Sequence, residues 1–384
     1  MNNLSKRINN YLKQRDDNHL FRKLTLSTDL IDFSSNDYLG FSRSAFIRQK
    51  VEQDLQRLSG LKFGSTGSRL LNGNTALHEE LENKLAKFYH AEAALLFNSG
   101  FDANIGLIAT IARKGDIIFY DELVHASIQQ GMLLSGAHLV SFCHNDIEDL
   151  KAQLEQIGNH QARFLITESL FSMQGDIAPL HQLAQLAKDA ELNFIVDEAH
   201  ANGIFGSLGS GLCNRDEIEE ICFARVFTFG KAIGSHGGVV VGSKVLKDYL
   251  INFSKPFIYS TALNLADLLS VEHAYFLLQN NINQQLKINN LILYFNKRIR
   301  QKKLSQFITG DGPVYGFYVK GNENCRQAAA YLQTNGFDIR PILSPTVPKG
   351  KERLRIILHS FNKTDEIAIL TEKLLDIQNI IPNE

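Results

Sequence analysis

The sequence predicts an α/β protein whose mostly parallel sheet is covered by helices on both faces. From about residue 75 to residue 242, short apolar runs alternate with segments of helical spacing, which is the pattern of repeated β-α-β units. Several of the runs end in polar or glycine-rich segments, and sheets of this kind bind ligands at the carboxyl ends of their strands. We expect an N-terminal helix and extended segment (1–50), a large domain (51–262) and a connecting helix with a small α+β domain (263–384).

The predicted elements follow one another regularly along the chain. Apolar spacing predicts an amphipathic N-terminal helix, a helix ending near residue 88, one from Gly100 to about 114, and one at 125–135. Pro179 is expected in the first turn of a further helix, and a long helical stretch is expected at about 262–303. In the small domain, strand-like runs at 314–319 and 354–358 flank a helix at 326–334. Strands of the large domain are predicted at 93–97, 117–120, 138–142, 164–167, 193–196, 226–229 and 238–241.

Composition and charge narrow the class of protein. The 384 residues are 44% hydrophobic and 21% charged, with a formal net charge of −1, which gives no reason to expect a nucleic-acid or acidic-membrane partner. The four cysteines are scattered without a C-x-x-C pair, so we expect neither a metal site nor disulfides. No stretch approaches the ~20 apolar residues of a membrane span, and the N-terminal helix does not have the continuous apolar core of a signal peptide. We therefore expect a soluble, cytoplasmic protein.

The most specific chemical signal is the pair formed by Lys231 and Asp197. Lys231 lies in a glycine-rich turn after a predicted strand, and Asp197 follows the apolar run 192–196. A lysine so placed can form a Schiff base, and an aspartate at the end of a buried strand can hold a pyridinium nitrogen. Together they predict a site for pyridoxal 5'-phosphate (PLP), in which the cofactor is the electron sink and the protein supplies orientation and charge.

Other strand ends carry groups that suit the same cofactor. Ser99, Gly100 and Phe101 begin a helix after a strand, where amide groups and the helix dipole favour a phosphate. A simple helix cap explains this segment equally well. The Thr228 hydroxyl is close enough in sequence to Lys231 to reach the same phosphate.

Three further residues are candidates for contacts with the cofactor ring. His125 follows another predicted strand and is suited to stacking on a flat ring. The segment 168–176 ends a fourth strand and brings Ser172 towards the ring hydroxyl. His200, three residues beyond Asp197, is placed to do the same.

The chain resembles the α-oxoamine synthase family of fold-type I PLP enzymes over nearly its full length. Each motif that carries this resemblance is modest alone, but their order along the chain is highly specific. The motifs are Asn36-Asp37-Tyr38-Leu39-Gly40, Gly64-Ser65-Thr66-Gly67-Ser68-Arg69-Leu70, Gly73-Asn74, Ser99-Gly100-Phe101, His125-Ala126-Ser127, Phe171-Ser172-Met173, Asp197-Glu198-Ala199-His200, Thr228-Phe229-Gly230-Lys231, Tyr259-Ser260-Thr261, Pro345-Thr346-Val347-Pro348 and Arg353-Leu354-Arg355.

The resemblance implies a fold-type I PLP-dependent transferase with a mostly parallel, seven-stranded type of sheet. It implies that Lys231 carries the Schiff base, that Asp197 binds the pyridine nitrogen and that His125 stacks on the ring. The other cofactor contacts it implies are Ser172 and His200 at the phenolic oxygen, Ser99, Gly100, Phe101 and Thr228 at the phosphate, Glu168 within the site, and Ser260 or Thr261 donated from the second subunit of a homodimer.

Substrate contacts are implied by the same resemblance. Arg355 clamps the amino-acid carboxylate, since a guanidinium matches a carboxylate in a bidentate way, and Asn36 belongs to the same substrate site. Arg22 and Thr346 are the positions for the acyl substrate or product. The sequence departs from the family at Ala201, where glycine or serine is expected, and in the segment between residues 22 and 32, which is short.

The implied reaction is a decarboxylative condensation of an amino acid with an acyl thioester. L-Alanine and a pimeloyl thioester, carried by coenzyme A or by a carrier protein, are the expected substrates. The Lys231 amine, freed by the amino acid, is placed to remove the α-proton once its pKa is lowered. The negative charge of Asp197 keeps the ring nitrogen protonated.

Other interpretations stay open at this point. Another family member would use glycine or L-serine with a different acyl thioester. An aminotransferase of the same fold would share Lys231, Asp197 and Arg355. A nucleotide-binding dehydrogenase would use residues 64–67 as a phosphate loop, but that run does not contain G-x-G-x-x-G. A non-enzymatic interaction protein would leave the chemistry at the strand ends without a reason.

Overall fold

A computed structural model of the chain describes residues 3–18, 20–22, 24, 26, 29–58, 60, 62–156 and 162–380. The chain divides into two compact units, residues 1–31 and 32–384. The first contains helix α1 (Asn3–Asp17), which has no buried residue and confirms the predicted N-terminal helix. The division at residues 50 and 262 stays a prediction.

The other helices are distributed along the second unit. They are α2 (Ala45–Arg57), α3 (Ala76–Phe88), α4 (Gly100–Ile111), α5 (Ala126–Ser135), α6 (Ile147–Glu155), α7 (Leu180–Asp189), α8 (Leu212–Arg215), α9 (Lys244–Phe253), α10 (Lys255–Ile258), α11 (Leu265–Asn280), α12 (Asn283–Gln301), α13 (Asn322–Thr334) and α14 (Thr364–Ile380).

The strands alternate with these helices in the first part of the unit and again near its end. They are β1 (Ile31–Asp32), β2 (Ala93–Phe97), β3 (Ile117–Asp121), β4 (His138–Phe142), β5 (Arg163–Glu168), β6 (Asn193–Asp197), β7 (Cys222–Thr228), β8 (Gly238–Gly242), β9 (Ile308–Thr309), β10 (Val314–Tyr318), β11 (Phe337–Asp338), β12 (Arg340–Ile342) and β13 (Arg353–Ile357).

A seven-stranded sheet in the order β2-β8-β7-β6-β5-β3-β4 forms the centre of this unit. The pairs β3/β4, β3/β5, β5/β6 and β6/β7 are parallel, and β8 alone in this sheet runs antiparallel to its neighbours β2 and β7. The predicted mostly parallel sheet is confirmed. Because β2 has the same direction as β7, the carboxyl ends of six strands lie at one edge.

Helices cover both faces of the sheet, as predicted, because successive strand residues point to opposite sides. In β6, Ile195 packs in a core with helices α4, α5, α9 and α10. Its neighbours Phe194 and Val196 pack in a second core with α6, α7 and α8. A strand buried on both faces is continuously apolar, which is why these runs were recognisable in the sequence.

A smaller antiparallel sheet, in the order β12-β13-β10-β9, forms in the C-terminal part, where α13 and α14 are the neighbouring helices. Its register places Arg355 of β13 opposite Gly316 of β10 and Arg340 of β12. The backbone of Arg355 is thereby fixed in an ordered strand rather than in a loop. The expected small α+β arrangement is present.

Several predicted element ends need correction. The stretch expected to be one long helix breaks after Asn280, and beyond the break the Asn281 side chain accepts the amide hydrogen of Asn283, the first residue of α12, at 3.0 Å. Helix α4 stops at Ile111, and Pro179 is the N-cap of α7 rather than a first-turn residue. In the described part of the chain, no helix combines the length and apolarity required to cross a bilayer.

Candidate active site

The candidate site lies where the strands of the central sheet end. Five strands deliver polar groups or a glycine-rich turn to this edge, and the parallel register aligns Glu168 directly with Asp197. The alignment explains why residues far apart in sequence meet. The groups are Ser99 and Gly100 after β2, His125 after β3, Glu168 at the end of β5, Asp197 at the end of β6, and Thr228 at the end of β7.

The turn after β2 forms a tight backbone cradle. Ser99 caps α4, and its hydroxyl accepts the Asp102 amide hydrogen at 3.0 Å. Gly100 is so close to β7 that an added Cβ would lie 3.0 Å from Cβ of Thr228, and a Cβ on Gly238 would lie 2.8 Å from the Gly100 nitrogen. The close approach therefore requires glycine at position 238 and strongly favours it at position 100. First-turn amides beside a threonine hydroxyl suit a phosphate group.

Asp197 is held by two hydrogen bonds that leave part of its carboxylate available. The Ala199 amide donates to Oδ1 at 2.8 Å, and the Asn104 side-chain nitrogen donates to Oδ2 at 2.7 Å. A carboxylate has about four acceptor positions. Asp197 can therefore accept a further hydrogen bond from a protonated ring nitrogen while its orientation stays fixed.

His125 caps α5 and presents an exposed, neutral ring. Its Nδ1 accepts the Ser127 backbone N–H at 3.2 Å, so Nδ1 is unprotonated and Nε2 carries the hydrogen. Partial desolvation lowers the pKa of His125; Asp197 opposes this shift and Lys231 adds to it. The Phe101 ring stands edge-on, with ring centroids 6.4 Å apart. One face of the imidazole is available for stacking.

Lys231 has an amine that is unusually easy to deprotonate. Burial lowers its pKa to about 8, although the negative charges of Asp197 and Glu168 work in the opposite direction. The positive charge of Arg355 contributes to the lowering. At pH 7 about a tenth of the amine is therefore a free nucleophile and base, far more than for an ordinary lysine.

Glu168 is a buried carboxyl group with an unused oxygen. Burial, and then the negative charge of Asp197, raise the pKa of Glu168 to about 8, while the amide of His125 hydrogen bonds to the carboxyl group and opposes the shift. Its Oε1 has no hydrogen-bond partner among the described residues. A buried oxygen without a partner is costly, which indicates that the site is completed by a bound group.

A second cluster joins the small sheet to the cofactor side of the site. Arg355 donates from Nε to the Ser172 carbonyl at 2.8 Å and from Nη2 to Oδ1 of Asn36 at 3.0 Å. The Tyr38 hydroxyl lies 2.5 Å from Nδ1 of His200. Burial lowers the pKa of His200 far below its usual range, so this ring is also neutral. The cluster can hold a carboxylate at Arg355 and a polar group of a ring at His200 and Ser172.

Ser260 and Thr261 lie just after α10, beside the phosphate turn of their own chain. The Thr261 carbonyl accepts a hydrogen bond from the Asn98 side chain at 2.8 Å, and Asn98 directly precedes Ser99. Thr261 is exposed and Ser260 is half-buried. Their contribution to a neighbouring subunit's site stays a prediction.

Arg22 and Thr346 are the two residues expected to contact the acyl substrate. Arg22 is exposed and belongs to the first unit, residues 1–31. Thr346 is exposed in the turn between β12 and β13. Ala201, the departure noted in the sequence, is fully buried directly after His200. The roles of Arg22 and Thr346 stay predictions.

An ionic cluster also lies beyond the end of β3. His144 is 2.9 Å from Asp121 through Nδ1 and 2.7 Å from Asp176 through Nε2. Burial opposes protonation, but the two carboxylates raise the pKa of His144 to about 9. This cluster ties the loop after β4 to the segment that contains Ser172.

Sequence reasoning did not single out two residues of the site. Asn104 is buried within α4, and Tyr38 is fully buried below His200. The signal for Asn104 was its spacing, since a residue four positions after Gly100 lies on the same helix face. Tyr38 stood inside a quoted motif, but nothing in its spacing predicted a contact with a residue 162 positions away.

The assembled groups fit PLP. A glycine cradle at a helix N-terminus, a partly satisfied aspartate, a stacking histidine and a lysine of lowered pKa are the protein groups that this cofactor needs. The partnerless oxygen of Glu168 marks the same place as incomplete. When bound, PLP supplies an electron sink for a carbanion.

Comparisons with known proteins identify the family of the chain. The model of the aminotransferase class I and II family matches residues 28–374. The chain is 40% identical over 383 residues to an 8-amino-7-oxononanoate synthase of Emericella nidulans, covering 94% of this chain and 93% of the relative. A crystal structure of 8-amino-7-oxononanoate synthase from Francisella tularensis is 30% identical, with a TM-score of 0.77 and coverage of 91% and 98%. Sphingomonas wittichii serine palmitoyltransferase is 26% identical, with a TM-score of 0.85 and coverage of 92% and 89%.

The chain belongs to the aminotransferase class I and II family, and within it to the α-oxoamine synthases. It is a PLP-dependent acyltransferase with the fold-type I architecture. The predicted fold, cofactor and class of enzyme are confirmed.

Proposed function

We propose that this enzyme condenses L-alanine with a pimeloyl thioester, giving 8-amino-7-oxononanoate, carbon dioxide and a free thiol. This reaction is a step of biotin biosynthesis. The observation that carries the proposal is the 40% identity, over 94% of the chain, to a relative that bears this enzyme's name. The cytoplasm is the proposed location, and the four cysteines are free thiols, which suits a reducing compartment.

Each residue of the cluster has a defined task in this proposal. Arg355 binds the L-alanine carboxylate, and Asn36 holds the guanidinium in place. Asp197 maintains positive charge at the ring nitrogen. The Lys231 amine removes the α-proton, and its lowered pKa of about 8 brings it closer to neutral pH, where a general base works best.

Neutral histidines suit the positions on either side of the cofactor ring. His125 stacks without adding a positive charge that would compete for Asp197. His200 hydrogen bonds to the phenolic oxygen together with Ser172, and the Tyr38 hydroxyl orients its imidazole. We also propose that Ser99, Gly100, Phe101 and Thr228 hold the phosphate, that Glu168 belongs to the cofactor site, and that Arg22 and Thr346 contact the acyl chain.

A homodimer with shared sites is part of the proposal. Ser260 or Thr261 of one subunit would complete the phosphate site of the other. Two large apolar side chains in or beside the resembling motifs are exposed: Tyr259, within one motif, at 81% of its full surface, and Leu71, between two motifs, at 84%. Exposed apolar groups of this kind favour an interface.

The decisive assay is release of the thiol from pimeloyl-CoA by the PLP-loaded enzyme, with L-alanine, glycine or L-serine in turn. We expect turnover with L-alanine, release of carbon dioxide, and 8-amino-7-oxononanoate by mass spectrometry. Lys231→Ala is the matched control and should abolish turnover. Preference for glycine or L-serine would instead indicate a glycine C-acetyltransferase-like, serine palmitoyltransferase-like or 5-aminolevulinate synthase-like member. A carrier-protein thioester is tested alongside the coenzyme A ester.

Shared sites are tested by mixing two inactive variants. Lys231→Ala and the double variant Ser260→Ala/Thr261→Ala are each dissociated, combined and reassociated. A heterodimer has one intact site, because the Lys231 of one chain meets Ser260 and Thr261 of the other. Random pairing should then restore about a quarter of the wild-type sites. No recovery of activity, with dimers present by light scattering, would refute the sharing.

A further inference from the structure

One asparagine connects the two residues assigned to the cofactor ring. Asn104 lies on α4 and is 3% exposed. Its Nδ2 is 2.7 Å from Oδ2 of Asp197 and 3.0 Å from Oγ of Ser127. Ser127 in turn contacts Nδ1 of His125, with its Oγ at 2.8 Å. The aspartate and the histidine are thus linked by two intervening side chains.

The direction of each hydrogen bond in the series Asp197, Asn104, Ser127 and His125 is determined. An ionised carboxylate only accepts hydrogen bonds, so the amide nitrogen of Asn104, not its oxygen, faces Asp197. The second amide hydrogen is donated to Oγ of Ser127. Since Nδ1 of His125 already accepts the Ser127 backbone N–H, it is an acceptor for the Ser127 hydroxyl hydrogen as well. Both hydrogens of one amide group are therefore committed, one towards each ring contact.

We propose that Asn104 is a positioning residue that sets the orientation of Asp197 and, through the Ser127 hydroxyl, helps to hold the His125 ring. The inference rests on the proposed function, because it is the cofactor ring that gives these two residues a common task. It assigns a role to a residue outside the resembling motifs.

The environment of Asn104 argues against a purely structural role. Its Oδ1 is buried and has no hydrogen-bond partner among the described residues, an arrangement that destabilises a fold. Helix α4 is otherwise apolar on its inner side, where Ala103, Leu107 and Ile108 are buried. An apolar residue at position 104 would remove the unsatisfied oxygen. The asparagine is explained by what its two donated hydrogens do.

Loss of Asn104 should weaken the hydrogen bonding of both Asp197 and His125. Asp197 would retain only the Ala199 amide as a described donor, and its hold on a protonated ring nitrogen would weaken. The Ser127 hydroxyl would lose the hydrogen bond that fixes its rotation, so its hydrogen would no longer be held towards Nδ1 of His125, and only the Ser127 backbone N–H would still position the ring. The titratable groups facing His125 are Asp197 and Lys231, and the Glu168 carboxyl group accepts its backbone amide hydrogen.

The test compares Asn104→Leu with wild type in the PLP-loaded enzyme, without substrate and then with it. We expect the pH midpoint of the bound cofactor's absorbance change to rise by about 1 unit, a tenfold change in proton affinity. Loss of positive charge at the ring nitrogen makes the nitrogen that joins Lys231 to the cofactor easier to protonate. We expect kcat to fall about 10- to 100-fold, as on loss of a hydrogen bond to a charged group, with the KM for L-alanine changing less than about threefold.

Two further variants separate positioning from structure. Asn362→Leu is the matched control, since Asn362 is also buried and hydrogen bonded but contacts His359 and the carbonyl of Asp32. It should lower the unfolding temperature without moving the absorbance midpoint. Ser127→Ala should move the midpoint in the same direction by less, and the double variant Asn104→Leu/Ser127→Ala should be no worse than Asn104→Leu alone. Ser127→Ala keeps the test decisive if Asn104→Leu does not fold.

The proposal would be overturned if the absorbance midpoint of Asn104→Leu were unchanged. If Asn104→Leu does not fold, an unchanged midpoint in Ser127→Ala would overturn it. Additive effects of the two substitutions in the double variant would also overturn it. Failure of the proposed function gives a different result. In that case wild type would lack the cofactor absorbance, or would show it without turning over pimeloyl-CoA and L-alanine. The absorbance titration needs no substrate, so it tests Asn104 even if the natural acyl donor differs.

Discussion

Capture of PLP by Lys231 should accelerate steeply between pH 7 and pH 9. Only the neutral amine attacks the cofactor aldehyde, and burial lowers the pKa of Lys231 to about 8. The neutral fraction is then about 9% at pH 7 and about 91% at pH 9, a tenfold rise. An ordinary lysine of pKa about 10.4 would be about 0.04% neutral at pH 7. The protein environment thus makes the amine about 200 times more available at neutral pH.

The assay is stopped-flow mixing of apoenzyme with saturating PLP, following the absorbance of the covalently bound cofactor from pH 6 to pH 10. Nα-acetyl-lysine mixed with PLP under the same conditions is the control, because it reports how PLP itself responds to pH. The enzyme's rate should level off above pH 9, while that of the free lysine should still be rising. If the pH midpoint of the enzyme's rate were close to that of the free lysine, burial would not lower the pKa of Lys231 as assigned. A rate that does not depend on pH would refute the assignment as well. Lys231→Ala should give no covalent signal.

Three other outcomes follow from the described contacts. Gly100→Ala would place a methyl group 3.0 Å from Thr228. The affinity for PLP, measured by equilibrium dialysis, should therefore fall at least about tenfold. Gly60→Ala is the control and should leave the affinity for PLP unchanged, because no atom lies within 4 Å of the added methyl group. Arg355→Lys loses the bidentate fork and should raise the KM for L-alanine about tenfold or more with a smaller change in kcat; equal KM values would contradict its role. His144 has a pKa raised to about 9, so the stability it contributes is complete below about pH 6.5 and is lost as pH rises through 9. Wild type should therefore unfold at a higher temperature than His144→Gln, and this difference should become smaller as the pH rises across that range. A difference that does not change with pH would refute the assigned role of His144.

The strand ends of the site could be predicted because their signals are local. Asp197 and Thr228 each follow an uninterrupted apolar run, and the parallel sheet then brings such ends to one edge without further information. The glycine at position 100 was recognisable as the start of a helix after a strand. The reason glycine is favoured there is the approach of Thr228. That approach depends on the pairing of β2 and β7 with the single reversed strand β8, which was not visible in the sequence.

Contacts across long sequence separations could not be predicted. The hydrogen bond from Asn104 to Asp197 spans 93 positions, and a polar residue inside an apolar helix has many possible partners. Element ends were also uncertain where a side chain competes with the backbone. At the break between α11 and α12 the Asn281 side chain accepts the Asn283 amide hydrogen, a local contact that periodicity alone does not register. The enzyme class, by contrast, was apparent because it rests on the order of many short motifs.

Helix α4 acts as a fixed spacer between the two charged ends of the cofactor. Its first residue, Gly100, belongs to the phosphate cradle, and Asn104 holds the aspartate assigned to the ring nitrogen. Four residues of helix advance by about 6 Å, so the two contacts are separated by one rigid turn rather than by a flexible loop. A substitution that shifts this helix displaces both anchors together and preserves their spacing. Loss of either anchor alone is therefore expected only from changes at the anchors themselves.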